Sequence, residues 1–156
     1  MILPLTRGTS ALVDEIDVAA VLGIAWHAHD GGSGRVYARS GFISGQQRVY
    51  LNRLIWVRMS GSSAPDVDHR DGDGLNCRRG NLRSATRSQN AQNSRAHKDS
   101  TSGLKGVRKT RGGRWSARVF VDDKEVHIGT FDTASDAHAA YAGRAAEVFG
   151  EFARAA

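Results

Sequence analysis

The sequence has a single cysteine, Cys77, among 156 residues. One thiol excludes an internal disulfide framework and any cysteine-built zinc cluster, and it suits a reducing cytoplasm. Aromatic residues are scarce, at 7%, so the core must be thin and lean on Val, Leu, Ile, Ala and the three Trp. Small cores of this kind leave little stability margin. Long hydrophobic runs are missing too. The opening Met1-Ile2-Leu3-Pro4-Leu5 turns polar at Thr6-Arg7-Gly8. That is too short for the apolar segment of a secretory signal, and nothing approaches the length that spans a bilayer. With 40% hydrophobic and 24% charged residues, the composition implies a folded, soluble chain of one ordinary domain or two very small ones.

Acidic residues are missing from one stretch in particular. From Gly74 to Arg118, twelve Lys and Arg meet a single acid, Asp99, whereas the rest of the chain carries ten bases against fifteen acids. Charge runs are more often solvated faces than sites. This block, however, is Arg-rich and interleaved with Asn, Gln, Ser and Trp115, side chains that contact phosphates, sugars and bases. It implies a polyanionic partner, since each base meeting a phosphate releases condensed counterions. Nucleic acid is the favoured class, and the block does not say which kind.

Three regions differ in grammar. Residues 1 to about 65 show short strand-like runs at Ala11–Val13, Gly34–Arg39 and Arg48–Leu51. A short helix is predicted over Asp17–Leu22, opened by an acidic cap and closed by Gly23. Asp30–Gly34 reads as the turn of a hairpin. In the middle region, Thr86-Arg87-Ser88-Gln89 fits a capping box, which starts a helix at Arg87 and places Asn90 in its first turn. Residues 96–103 read as a linker. Beyond them, Trp115, Ala117, Val119 and Val121 alternate along a half-buried strand, followed by a turn at Asp122–Lys124 and a further strand from Glu125. Thr133 to Asp136 caps an Ala-rich helix that runs to about Phe149 and stops at Gly150.

The densest polar stretch is Val67-Asp68-His69-Arg70-Asp71-Gly72-Asp73-Gly74, followed by Asn81-Leu82 and Ser88-Gln89-Asn90. A strand carrying Asp68 and His69 side by side points them to opposite faces. A carboxylate and an amide oxygen are hard ligands suited to Mg²⁺. A neutral imidazole is the natural base for deprotonating water near pH 7. The stretch Asp71–Gly74 invites a calcium-loop reading, which fails because Leu75 and Leu82 fall where the fifth and twelfth positions need oxygen ligands.

The region from about Tyr50 to Arg95 resembles the HNH nucleases, in particular their homing-endonuclease branch with a ββα-metal finger, found in phages and introns. The matching residues are Asp68-His69-Arg70-Asp71-Gly72, Asn81-Leu82 and Asn90, in register. The resemblance implies that Asp68 and Asn90 ligate one divalent metal ion, Mg²⁺ or Mn²⁺. It makes His69 the general base, and Asn81 the residue that holds the finger's loop so that the base is aimed. The chain departs from the pattern with Asn90 where His is frequent, Asn52 where His commonly precedes Arg-Leu, and Cys77 where Asn or Asp is usual.

From about Ser102 onward the chain resembles the Apetala2-type DNA-binding domain. The matches are Gly106-Val107-Arg108, Arg114-Trp115-Ser116-Ala117-Arg118, Ile128-Gly129-Thr130-Phe131-Asp132, Ala139-Ala140-Tyr141 and Phe149-Gly150-Glu151-Phe152-Ala153. This resemblance implies a sheet that enters the major groove, with Arg108, Arg114, Trp115 and Arg118 as contacts and Lys109 and Arg111 on phosphates. Arg83 and Arg87, from the basic block, join the expected DNA contacts.

The expected fold is therefore α+β. An HNH domain spans 1–95, with a mixed part over 1–64 and the finger over 65–95. A linker spans 96–103, and a DNA-binding module of three antiparallel strands on one helix spans 104–156. The expected activity is one-metal hydrolysis of a phosphodiester bond in double-stranded DNA, leaving 5′-phosphate and 3′-hydroxyl ends. A monomer would nick and a homodimer could break both strands. No membrane or small-molecule substrate is implied, and the setting would be the cytoplasm of a bacterium or phage-infected cell. The alternative is a sequence-specific DNA-binding regulator with a weak or inactive finger, toward which Asn52 leans; an RNA-binding protein is a weaker third reading.

Among the remaining residues, His27 and His29 read as a surface pair without a third ligand, and His97, His127 and His138 as structural or exposed. Trp26, Trp56 and the Val and Ile residues beside Trp56 read as core. Trp115 is equally suited to packing and to nucleic-acid contact. Cys77 reads as a structural thiol rather than a nucleophile.

Overall fold

In the computed structural model the described residues are 1–32, 34–41, 48–94, 96, 100–122 and 124–154, with the backbone alone of Arg7. Ser33 of the predicted hairpin turn, residues 97–99 of the predicted linker (His97 among them) and Asp123 of the predicted turn lie outside them. The architecture is α+β, with small antiparallel sheets and helices in two units, Met1–Arg87 and Ser88–Ala156.

The first unit opens with β1 (Ile2–Pro4) paired to β2 (Ser10–Leu12). Strand β3 (Trp26–Asp30) then pairs with β4 (Val36–Ser40) across the predicted turn. The helix expected over Asp17–Leu22 shortens to α1 (Val18–Val21), preceded by a 3-10 turn at Glu15–Asp17. Asp17 does not cap it. Its carboxylate is fully buried and receives Arg79 Nε at 2.7 Å and Arg58 Nε at 3.3 Å. An oxygen committed to two guanidinium groups does not serve the helix amides.

The strand expected over Arg48–Leu51 is also replaced. Tyr50 makes only an isolated bridge to Arg39, and helix α2 (Leu51–Ser60) starts at the next residue. Leu51 and Ile55 are fully buried and Leu54 packs beside them, the i, i+3, i+4 spacing of a helix face. Val57 was expected in the core beside Trp56 but is exposed, four residues after exposed Arg53 on the outer face. Gly61, at φ 73°, ends α2 in the left-handed conformation, its N–H bonded to Val57 O.

Strand β5 (Asp66–His69) pairs antiparallel with β6 (Leu82–Ala85), in a register that sets Asp68 opposite Arg83 and His69 opposite Leu82. The intervening loop is tied to β2, since Leu12 N–H donates to Leu75 O and Cys77 N–H to Leu12 O, each at 2.8 Å. Gly74 in this loop has no room for a side chain. A Cβ there would lie 2.5 Å from Val36 O and 2.7 Å from the Tyr37 ring. The β3–β4 hairpin thereby seats directly on the loop. After β6 the chain enters α3 (Arg87–Gln92) at the residue the capping box marks. The unit boundary falls in the first turn of α3, inside the stretch expected for the finger.

In the second unit, β7 (Val107–Lys109), β8 (Trp115–Val121) and β9 (Lys124–Phe131) form an antiparallel meander, and α4 (Ala134–Phe149) packs across one face. Ala117 and Val119 meet Ala137, Tyr141 and Ala145 in the core, with Trp115 and Val121 packed at its edge, as the alternation in β8 predicts. Gly106, at φ 73°, lies so close to Tyr141 that a Cβ would overlap its ring. Thr133 caps α4 by accepting Asp136 N–H at 3.1 Å, and Gly150 follows its last turn. Gln92 of α3 donates to Phe120 O at 3.4 Å and accepts from Lys105 Nζ. Among the described residues no helix is long and apolar enough to cross a membrane.

Candidate active site

Asp68 and His69 stand side by side at the end of β5, each only 4% exposed. Asn52 of α2 helps to hold this strand. Its side chain is buried, and its amide donates to Val67 O at 3.1 Å, one residue before Asp68. The departure at Asn52 thus has a structural task, pinning β5 to α2.

Burial lowers the pKa of His69 below its ordinary value, and the Arg35 charge acts in the same direction. The carboxylates of Asp71, Asp68 and Asp73 oppose the shift without cancelling it. The imidazole is therefore neutral at pH 7 and able to accept a proton. Nε2 lies 3.8 Å from Cys77 Sγ, and the Tyr37 ring sits 5.9 Å away, centroid to centroid. Burial first, and then the Asp73 and Asp71 charges, push the Cys77 thiol up to about 12. It stays protonated, consistent with packing rather than nucleophilic attack.

The 70–81 loop is braced from within. Asn81 accepts Asp71 N–H at 3.1 Å and donates to Asp71 Oδ1 at 2.9 Å and to Asn76 O at 2.7 Å. Asp71 also accepts from Asp73 N–H and Asn76 Nδ2, while Asp73 accepts Leu75 N–H. Burial would raise the Asp71 carboxyl, yet hydrogen bonds from Asp73, Asn76 and Asn81 hold it below the usual range. Both loop carboxylates serve backbone and side-chain amides of the loop, which is what a brace requires.

Arg83 was expected among the DNA contacts, but it is buried, at 5% exposure. Its Nε and Nη2 lie 2.8 and 2.7 Å from Asp68 Oδ2. Composition shows an arginine in a basic block; only the β5–β6 register reveals that it faces an acid. Asn90 lies half-buried in α3, beyond the boundary and so in the second unit.

The other expected contacts lie on or near the second unit's surface. Arg87, the last residue of the first unit, is exposed at the start of α3. Arg108, Lys109, Arg111 and Arg114 are exposed, whereas Trp115 and Arg118 are half-buried. Arg108, Ser116 and Thr130 are register partners in one row, and Arg118 and His127 in another, on the sheet face away from α4. Acids orient two of these arginines. Arg114 donates to Asp132 at 2.8 Å, and Arg118 to Glu125 at 2.5 Å. Trp115 packs on the core while Lys109 Nζ stands 5.5 Å over its ring.

The other described histidines are structural or exposed, as the sequence suggests. His138 Nδ1 is 3.0 Å from Lys105 O and its ring stacks on Tyr141, and His127 Nε2 is 3.3 Å from Thr130 Oγ1. His29 packs its ring against Tyr50, and His27 is exposed.

A protein of Acanthamoeba polyphaga mimivirus, named as an uncharacterized HNH endonuclease, is 35% identical over 109 residues. The match covers 68% of this chain and 56% of the relative, so the chain spans little more than half of that protein's length. Residues 49–92, which contain α2, β5, the braced loop, β6 and α3, match the HNH endonuclease family and form the chain's HNH domain.

Proposed function

We propose that this chain is a metal-dependent endonuclease that hydrolyses a phosphodiester bond in double-stranded DNA. The observation that carries the reading is the pair Asp68 and His69, held together on one braced strand inside a domain of the HNH endonuclease family. His69, neutral at pH 7, takes the proton from the attacking water. Asp68 fits a divalent cation by its donor chemistry, because a carboxylate offers the hard oxygen that Mg²⁺ or Mn²⁺ prefers. Asn90 would supply a second hard oxygen. When bound, such an ion polarises the phosphate and stabilises the leaving oxygen. Asn81 keeps the loop, and with it His69, in place.

The outer sheet face of the second unit grips the duplex as an Apetala2-type module would. Arg108, Arg114 and Arg118 reach bases, Trp115 contributes its exposed edge, and Lys109, Arg111 and Arg87 reach phosphates. Arginine's fork matches the two major-groove acceptors of guanine, and a carboxylate partner fixes the fork's direction beforehand. The hydrogen bond from Asn52 to Val67 favours an intact finger over the regulator reading.

The test is incubation of supercoiled plasmid and of a randomised duplex library with the full chain in Mg²⁺, with the ends mapped. The expected result is cleavage that leaves 5′-phosphate ends and stops when the metal is chelated. A gel-shift signal with no cleavage in Mg²⁺ or Mn²⁺ would instead support a binding protein.

A further inference from the structure

Asp68 and Arg83 are cross-strand partners on β5 and β6. Arg83 Nε donates to Asp68 Oδ2, and Nη2 stands 2.7 Å from the same oxygen. The two side chains are 5% and 6% exposed, so this is not a surface salt bridge of little consequence. A carboxylate withdrawn from water depends on a nearby positive charge, and here the chain provides one of its own.

We infer that Arg83 is an internal counter-cation for Asp68, which a divalent metal must displace or outcompete to bind. The inference rests on the reading of Asp68 as a metal ligand. Two physical effects act in the same direction. A guanidinium beside the carboxylate repels a doubly charged ion brought to the same group. It also removes the desolvation penalty that an incoming metal would otherwise relieve, so the metal gains less by binding. Free metal therefore binds weakly, and the apo site keeps its strand pair closed by an ion pair of its own. Arg83 is a positioning residue for the metal ligand rather than a surface phosphate contact.

The test measures metal affinity in the full chain without DNA, so that turnover plays no part. Mn²⁺ binding is read from the electron paramagnetic resonance of the free ion, and Mg²⁺ binding by calorimetry. Wild type is compared with Arg83→Met, Arg83→Lys and Asp68→Asn. Arg83→Met is expected to bind Mn²⁺ more tightly, on the order of tenfold, while Arg83→Lys, which keeps the charge, stays near wild type. Asp68→Asn is expected to lose the site. If Asp68→Asn binds like wild type, Asp68 is not a ligand, and the reading of the site fails together with this inference. If Asp68→Asn loses binding but Arg83→Met binds no more tightly than wild type, the inference alone is overturned.

A second measurement on the unmodified protein covers the case in which Arg83→Met does not fold. The Nε–H resonance of Arg83, identified by its loss in Arg83→Lys, is expected to shift through a Mg²⁺ titration. A resonance unchanged at saturation overturns the inference.

Discussion

The two units place their polar groups in opposite locations. The first buries Asp17, Ser40, Asn52, Asp68, His69 and Arg83, whereas the described part of the second buries only Asn93 and Ser116 among polar side chains. The second unit carries Arg108 and Arg118 on the outer face of a sheet whose other face is a plain apolar core. Burying charge is costly and persists where partners are exact in position and chemistry. The first unit therefore holds a polar interior of paired groups, and the proposed function assigns the chemistry to it and DNA recognition to the exposed sheet face of the second. Damage to the first should change turnover and stability together, and damage to the second should change binding alone.

The contrast is sharpest at Asn52 and Arg108. Replacing Asn52 with Ala leaves the Val67 carbonyl without this partner in a buried setting, at a cost of about 1–3 kcal/mol, measurable by denaturant unfolding. The same change should lower the cleavage rate at saturating DNA while leaving DNA affinity near wild type, because β5 loses its tie to α2. Arg108→Ala should do the reverse. Loss of one base or phosphate contact costs about 1–3 kcal/mol of binding and reduces the salt slope if the contact is to phosphate. Stability should stay within about 0.5 kcal/mol, as for other exposed substitutions. An Arg108→Ala variant that unfolds early but binds normally would reverse the assignment.

A smaller effect separates the units by pH. The Arg79 hydrogen bonds, with help from Arg58, hold the Asp17 carboxyl below its ordinary value against the opposing effect of burial. Its contribution is present above the unfolded value, about 3.9, and is lost as pH falls through the lower folded value. Burial pushes Tyr141 in the second unit up to about 12. That contribution is complete below the unfolded value, about 10, and fades as pH rises through the folded one. Hydrogen exchange on the full chain should show the first unit opening earlier in acid, below about pH 4, whereas both units loosen in alkali because the Cys77 thiol of the first is also pushed up to about 12. The second unit opening first in acid would show that Asp17 does not limit the first.

Much of the second unit was legible in the sequence, because its elements are local. Alternation from Trp115 to Val121, the cap at Thr133 and the stop at Gly150 each depend on neighbours within one element. The strand that carries Asp68 and His69 and the start of α3 were legible for the same reason. Helix α2 was not, because Val49 and Tyr50 have strand propensity, and the helical spacing of Leu51, Leu54 and Ile55 begins only where that run ends. Asp17 looked like a helix cap because Arg79, which takes its carboxylate, lies 62 residues away. Arg83 looked like a DNA contact for the same reason: strand register and loop closure are set by tertiary pairing. Sequence motifs identified the types of groups at the site, and only the fold revealed which of them are partners.

The most direct test of the division of labour is the cleavage rate of a defined DNA duplex by His69→Ala, measured in Mg²⁺ as a function of DNA concentration. Loss of a general base predicts a kcat lower by about 10²–10⁴-fold at a temperature where the variant is still folded, with DNA affinity close to wild type and a lowered unfolding transition, because the truncated side chain is buried. Cleavage by His69→Ala at the wild-type rate would contradict the account.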